Sequence, residues 1–103
     1  MDYMIRKKRN DRNYILYELR VDNQTYIGLT VAVGRAFLKS VKVRVQKHIS
    51  RAFVESKDWT LCKAIQEADT IQYSVIEVIR GRKAAYSRER ELIAEYSPEL
   101  NDF

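Results

Sequence analysis

Glu89 lies in a stretch, Arg82 to about Tyr96, whose apolar residues recur at helical spacing. At ~100° per residue, Ala85, Leu92, Ile93 and Tyr96 all fall within about 60° of it, so the carboxylate occupies the middle of an apolar stripe. Its charged neighbours Arg88, Arg90, Glu91 and Glu95 point to the flanks or to solvent. An unpaired carboxylate on a buried face costs several kcal/mol, which leaves four states for Glu89: ion-paired, protonated, metal-bound, or set at the mouth of a cleft. A structural salt bridge would meet the same need. Arg44 and His48 form a second constellation, four residues apart and so stacked on one helical stripe at the edge of an apolar face. Together they offer a permanent cation beside a group that exchanges protons near neutral pH, although either can equally be an ordinary hydrogen-bonding residue. The third is a pair of phenols, Tyr17 and Tyr26, in two short apolar runs joined by Val21-Asp22-Asn23-Gln24.

These residues need elements to position them. Tyr14 to Arg20 and Thr25 to Thr30 are rich in Tyr, Ile, Leu and Thr, and the Asp22-Asn23 pair suits a tight turn, which predicts a β-hairpin. With a two-residue turn, Tyr17 faces Gly28 and Tyr26 faces Leu19, so both phenols share one side of the hairpin while Tyr14 packs on the other. Gly28 opposite Tyr17 would leave room above that phenol, or else mark a bulge or close backbone approach. From about Arg35 to Val54, Leu38, Val41, Val45, Ile49, Ala52 and Phe53 keep one face of the longest helix. A shorter helix starts near Asp58, a fitting cap, and buries Leu61, Ala64, Ile65 and Ala68. Ile71 to Ile79 is β-branched and reads as a third strand ended by Gly81, and the last helix stops before Pro98. The order is β-β-α-α-β-α, an α/β domain with a small three-stranded, mostly antiparallel sheet flanked by helices.

Composition narrows the classes. At 103 residues and 46% apolar, the chain suits one domain, here residues 14–103 behind a flexible basic arm, residues 1–13. Arg6, Lys7, Lys8 and Arg9 make that arm a candidate phosphate contact. A single cysteine, Cys62, rules out an internal disulfide, and no apolar run reaches the ~18 residues of a membrane span, so a reducing, cytoplasmic setting with no membrane is expected. Nineteen Lys and Arg against fourteen Asp and Glu give a net charge of +5, a lean toward polyanions.

In this order the residues resemble the GIY-YIG nuclease domain. Ile15-Leu16-Tyr17 stands at the first tripeptide with Ile in place of its glycine, and Tyr26-Ile27-Gly28 matches the second fully. The family's Arg followed four residues later by His or Tyr is matched by Arg44 and His48. Its helical Ala-x-x-x-Glu and its Asn twelve residues beyond, after Pro-x-x, are matched by Ala85, Glu89, Pro98 and Asn101. The likeness spans Tyr14 to Asn101. The segment between Gly28 and Arg44 is longer than in the shortest family members, so Arg35 competes for the arginine's place, with Arg44 favoured by His48.

The resemblance implies a metal-dependent DNA endonuclease. Glu89 would be the one protein ligand of a divalent cation, Mg²⁺ with Mn²⁺ able to substitute, and Arg44 would hold the scissile phosphate with a forked donor pattern. Tyr17 would act as, or beside, the general base with help from His48; Tyr26 would orient water or phosphate, the two phenols' roles being exchangeable. Gly28 would let a phosphate approach, and Asn101 would position rather than react. The expected partner is DNA, double-stranded in the first instance, and low or structure-dependent sequence specificity follows from a nuclease core that fills the chain, as in the compact nucleases of phages and mobile elements. A homodimer or a larger complex is a further expectation. A catalytically silent binding module, or an interaction protein that keeps this fold, is the alternative.

Overall fold

The computed structural model describes residues 12–54 and 59–101. In chain order its elements are β1 (Asn13–Val21), β2 (Gln24–Val31), α1 (Phe37–Phe53), α2 (Thr60–Glu67), β3 (Ile71–Arg80) and α3 (Arg82–Tyr96). This is the expected β-β-α-α-β-α order, and the sheet is antiparallel throughout, with strand order β2-β1-β3. β1 is the central strand. Residues 1–11, and with them Arg6, Lys7, Lys8 and Arg9, lie outside the described residues, as does Asp58. The end of the expected arm is corrected: Asn13 already pairs with Arg80 in the sheet, and the Arg12 carbonyl accepts the Gly81 N–H at 2.9 Å.

Asp22 sets the hairpin and ties it down. It adopts a positive φ of 54°, which a short polar side chain tolerates. Its carboxylate accepts the backbone N–H of Asp69 at 3.1 Å and of Thr70 at 3.0 Å, and its own N–H donates to the Thr70 carbonyl at 3.0 Å. The turn is thereby locked to the loop between α2 and β3. The resulting register pairs Tyr17 with Gly28 and Leu19 with Tyr26, as the two-residue turn requires.

Alternation along β1 feeds two cores. Ile15, Tyr17, Leu19 and Val21 join Val41, Val45 and Ala52 of α1 and Leu61, Cys62 and Ile65 of α2 on one face. Leu16 joins Ile27 and Leu92 on the other, under α3, with Leu29, Ile79 and Ile93 packed around them. Leu16 pairs with Glu77 and Tyr17 with Val75, so Ile76 is an extra residue in β3, a bulge beside Tyr17.

Three helical details differ from the expected patterns. In α1 the buried stripe runs through Ser40, Val41, Val45, His48 and Ala52, leaving Leu38 and Phe53 exposed. Ser40 can sit inside because its hydroxyl donates to the Ala36 carbonyl at 2.7 Å and accepts the Val33 N–H at 3.0 Å. His48 is therefore within the buried face rather than at its edge. In α3 only Ala85 and Leu92 are buried, and Tyr96 is exposed, next to the left-handed Ser97 where the helix ends ahead of Pro98. Among the described residues no helix is long and apolar enough to cross a membrane.

Candidate active site

The β1–β2 register places Tyr17 over Gly28, and the phenol needs that glycine. A Cβ at Gly28 would collide with Cζ and Oη of Tyr17 and come within 2.8 Å of Tyr26 Cε1. The expected gap for a phosphate is thus corrected: the phenol of Tyr17 itself fills the space. Tyr17 is wholly buried, and its Oη lies 2.8 Å from Nε2 of His48, reaching across from α1. Tyr26 completes a cluster of three rings, its centroid 6.3 Å from Tyr17 and 5.5 Å from His48, edge-on to the imidazole. Unlike Tyr17, Tyr26 is only partly buried and keeps access to solvent.

α1 supplies the cations of this cluster. Arg44, His48 and Arg51 recur at four and three residues, one stripe of the helix. Arg51 was not among the residues singled out from the sequence, although this spacing extends the Arg44-His48 stripe by one turn. Burial, then Arg44, then Arg51 push the imidazole down to about 4, so His48 is neutral at neutral pH. Burial first and Tyr26 second push the Tyr17 phenol up, with Arg44 and its guanidinium opposing the rise. Tyr26 is also raised, by burial and then by Glu89, against Arg44 and Arg51. The Nε of Arg44 is buried and finds no hydrogen-bond partner among the described residues. Arg35, the competing arginine, is exposed in the turn before α1, away from the ring cluster's interactions.

Glu89 enters from the other side of the sheet, on α3 between buried Ala85 and Leu92. It is half-buried, and burial pushes its carboxyl up from the ordinary carboxylate value, with Arg90 opposing. No residue among those described forms an ion pair or hydrogen bond with it. Arg88, one position before, is committed elsewhere, to Glu77 at 3.1 Å and Glu91 at 2.9 Å. The salt bridge that would have explained an apolar-face carboxylate is therefore absent among the described residues. Its field still reaches the cluster, since the charge of Glu89 raises both Tyr26 and Tyr17.

Asn101 is a structural clamp. Its Oδ1 accepts the Ile27 N–H at 2.9 Å and its Nδ2 donates to the Ile27 carbonyl at 2.8 Å, mimicking a neighbouring strand. Leu100 N–H donates to the Thr25 carbonyl at 3.0 Å, and Glu99 accepts from Thr25 N–H at 2.9 Å. The outer edge of β2 is thus held on either side of Tyr26.

Among the described residues no group of three or more His, Cys, Asp or Glu gathers as a metal cage. A cation at Glu89 would have one protein ligand, a donor set suited to Mg²⁺, which keeps several waters and takes one or two carboxylates plus phosphate oxygens. Half-buried and unpaired among the described residues, the Glu89 carboxylate fits that use. Tyr17, Tyr26, Arg44 and His48 are brought together, and Glu89 faces them electrostatically across β2. No family model, no curated protein and no solved structure matches the chain.

Proposed function

We propose that the protein is a metal-dependent endonuclease that hydrolyses DNA phosphodiester bonds, the reading carried by the buried Tyr17–His48 hydrogen bond beside Arg44, with Glu89 unpaired among the described residues. In this reaction water attacks phosphorus, the bond to the departing 3′ oxygen breaks, and the water's proton passes to a base. Arg44 binds the scissile phosphate through its guanidinium, the forked cation of the cluster that also lines the adjoining groove. Tyr26, the phenol with solvent access, meets the attacking water. Tyr17 is a positioning residue: in the tautomer in which Nε2–H of His48 donates to its Oη, the imidazole is fixed and Nδ1 is left to take the proton the water gives up. Glu89 would hold Mg²⁺, which when bound would neutralise charge on the phosphate and cancel the carboxylate field that raises both phenols.

Incubation with supercoiled plasmid tests this. The chain should cleave in Mg²⁺ or Mn²⁺ and stop in chelator, and Glu89→Gln should lower the rate by about two orders of magnitude or more. An intact plasmid with either metal, or an undiminished rate in the variant, would sink the reading. One observation favours a second reading, a catalytically silent DNA-binding module: the complete burial of Tyr17, with His48 nearly as enclosed, is what a purely structural pair would show. Binding without cleavage in the same assay would select it.

A further inference from the structure

Beside the ring cluster a groove of about 560 Å³ runs between β2, α1 and α3. Its cations come from α1: Lys39, Arg44 and Lys47, of which Arg44 belongs also to the ring cluster, so the groove opens onto it. None of its lining residues is acidic. Apart from the hydroxyls of Thr30 and Ser40, the rest is apolar or aromatic, with Leu29 of β2, Tyr14 of β1 and Tyr86 of α3. Tyr86 is substantially exposed, and Arg82 lies over its ring at 5.5 Å from the centroid, adding a cation at the rim. Beyond the stretch of β2 held by Leu100 and Asn101, Leu29 lines this groove.

A polyanion explains the lysines but not the tyrosines. Duplex DNA presents phosphates outside and hides its base faces, whereas an unpaired strand offers both phosphates and flat bases, the combination that basic grooves with aromatic platforms bind. A cavity of small-molecule size also admits a nucleotide or two and is far narrower than a duplex. We propose that this groove binds an unpaired segment of DNA strand leading to the scissile phosphate, with its phosphates on Lys39 and Lys47 and a base against Tyr86. That the strand leads to a scissile phosphate at Arg44 rests on the nuclease reading. The substrate class is then DNA in which paired and unpaired segments meet, such as overhangs, flaps and bubbles.

Fluorescence anisotropy with the full chain in chelator, where no cleavage intrudes, tests the groove. A labelled single-stranded oligodeoxynucleotide of about 15 nucleotides is compared with a blunt duplex of the same sequence. The single strand should bind about tenfold more tightly or better. Tyr86→Leu should weaken single-strand binding about tenfold and leave the duplex unchanged, while Tyr86→Phe, which keeps the ring, should bind like the parent. Lys39→Gln with Lys47→Gln should reduce the slope of log affinity against log salt by about 1.4, at about 0.7 per phosphate contact. Equal binding of duplex and single strand, or a Tyr86→Leu chain that melts and binds like the parent, would overturn the proposal. If single-strand binding and both variant effects hold while plasmid stays intact in Mg²⁺ and Mn²⁺, the groove stands and the nuclease reading fails. If plasmid is cut but the two oligonucleotides bind alike, the nuclease stands and the groove proposal fails.

Discussion

The imidazole of His48 is held neutral by burial, by Arg44 and by Arg51, at a pKa of about 4 against 6.5 in an unfolded chain. That difference links its proton to folding. Between these two values the unfolded chain binds a proton that the folded one refuses, so stability falls as pH drops from about 6.5 to about 4, and the loss persists below. Its size is about 3 kcal/mol at most. Urea unfolding at pH 7 and pH 4.5 should show this fall in the parent and a smaller one in His48→Gln, which keeps a hydrogen-bonding side chain opposite Tyr17. An equal fall in both would show that His48 carries none of the linkage. Comparing the two chains also removes the contribution of Glu89, whose raised carboxyl acts in the opposite sense, adding stability as pH falls. Cleavage should correspondingly lose no activity through pH 6.5. Residue types at this scale are legible in the sequence: Tyr17, Tyr26, His48 and Arg44 gather in space, whereas Glu89 stands on the other side of the sheet and reaches the phenols through its charge. The occupant of the space at Gly28 is not, because register says which residues oppose each other but not which way a ring leans. Arg51 carries no mark in the sequence, because an arginine on a basic helix is ordinary until the imidazole and phenol that feel its charge are known.

β2 is an edge strand, and its outer side would be frayed or open to pairing without the segment that follows α3. Asn101 holds Ile27 through both its N–H and its carbonyl, and Tyr26 and Gly28 are the flanking residues. Asn101→Ala leaves both groups without these bonds in a part-buried place, which should cost about 1–3 kcal/mol. Exchange of the Ile27 amide with deuterium should speed up well beyond that of Leu19 in the central strand. Asn101→Asp, which can accept but not donate, should fall between. Unchanged Ile27 exchange in the alanine variant would mean that the clamp is ornamental. The elements themselves followed closely from the sequence, since alternation, the Asp22-Asn23 turn and Pro98 are local signals and the strands and helices end where those signals stand. What local pattern could not give is tertiary. Helical spacing placed Leu38, Phe53 and Tyr96 on apolar faces, but a three-stranded sheet covers only a narrow stripe of each helix, and the rest stays in water. The bulge at Ile76 is likewise invisible in the sequence of β3, because it exists only in the pairing of β3 with β1.

At the scale of the molecule, the sheet divides the machinery. α1 brings His48 and the arginines to the face where Tyr17 of β1 and Tyr26 of β2 point, and α3 brings Glu89 to the other, its charge still acting on the phenols. The described residues hold one such cluster, with Tyr17, His48, Arg44 and Glu89 each present once. On the proposed nuclease reading, one cluster would hydrolyse one phosphodiester at a time, and the antiparallel strands of a duplex would need two, related by a two-fold axis. Acting as single chains, the protein should convert supercoiled plasmid first to nicked circles, with linear molecules following as nicks fall near one another. The nicking rate should rise in proportion to protein concentration. Supercoiling adds a second expectation, since torsion favours local unpairing and the groove beside Arg44 is suited to an unpaired strand. Supercoiled circles should therefore be nicked several-fold faster than the same plasmid relaxed beforehand, and a time course on agarose gels reads both quantities. Linear plasmid appearing without a nicked intermediate, at a rate rising with the square of protein concentration, would instead require two chains cutting together.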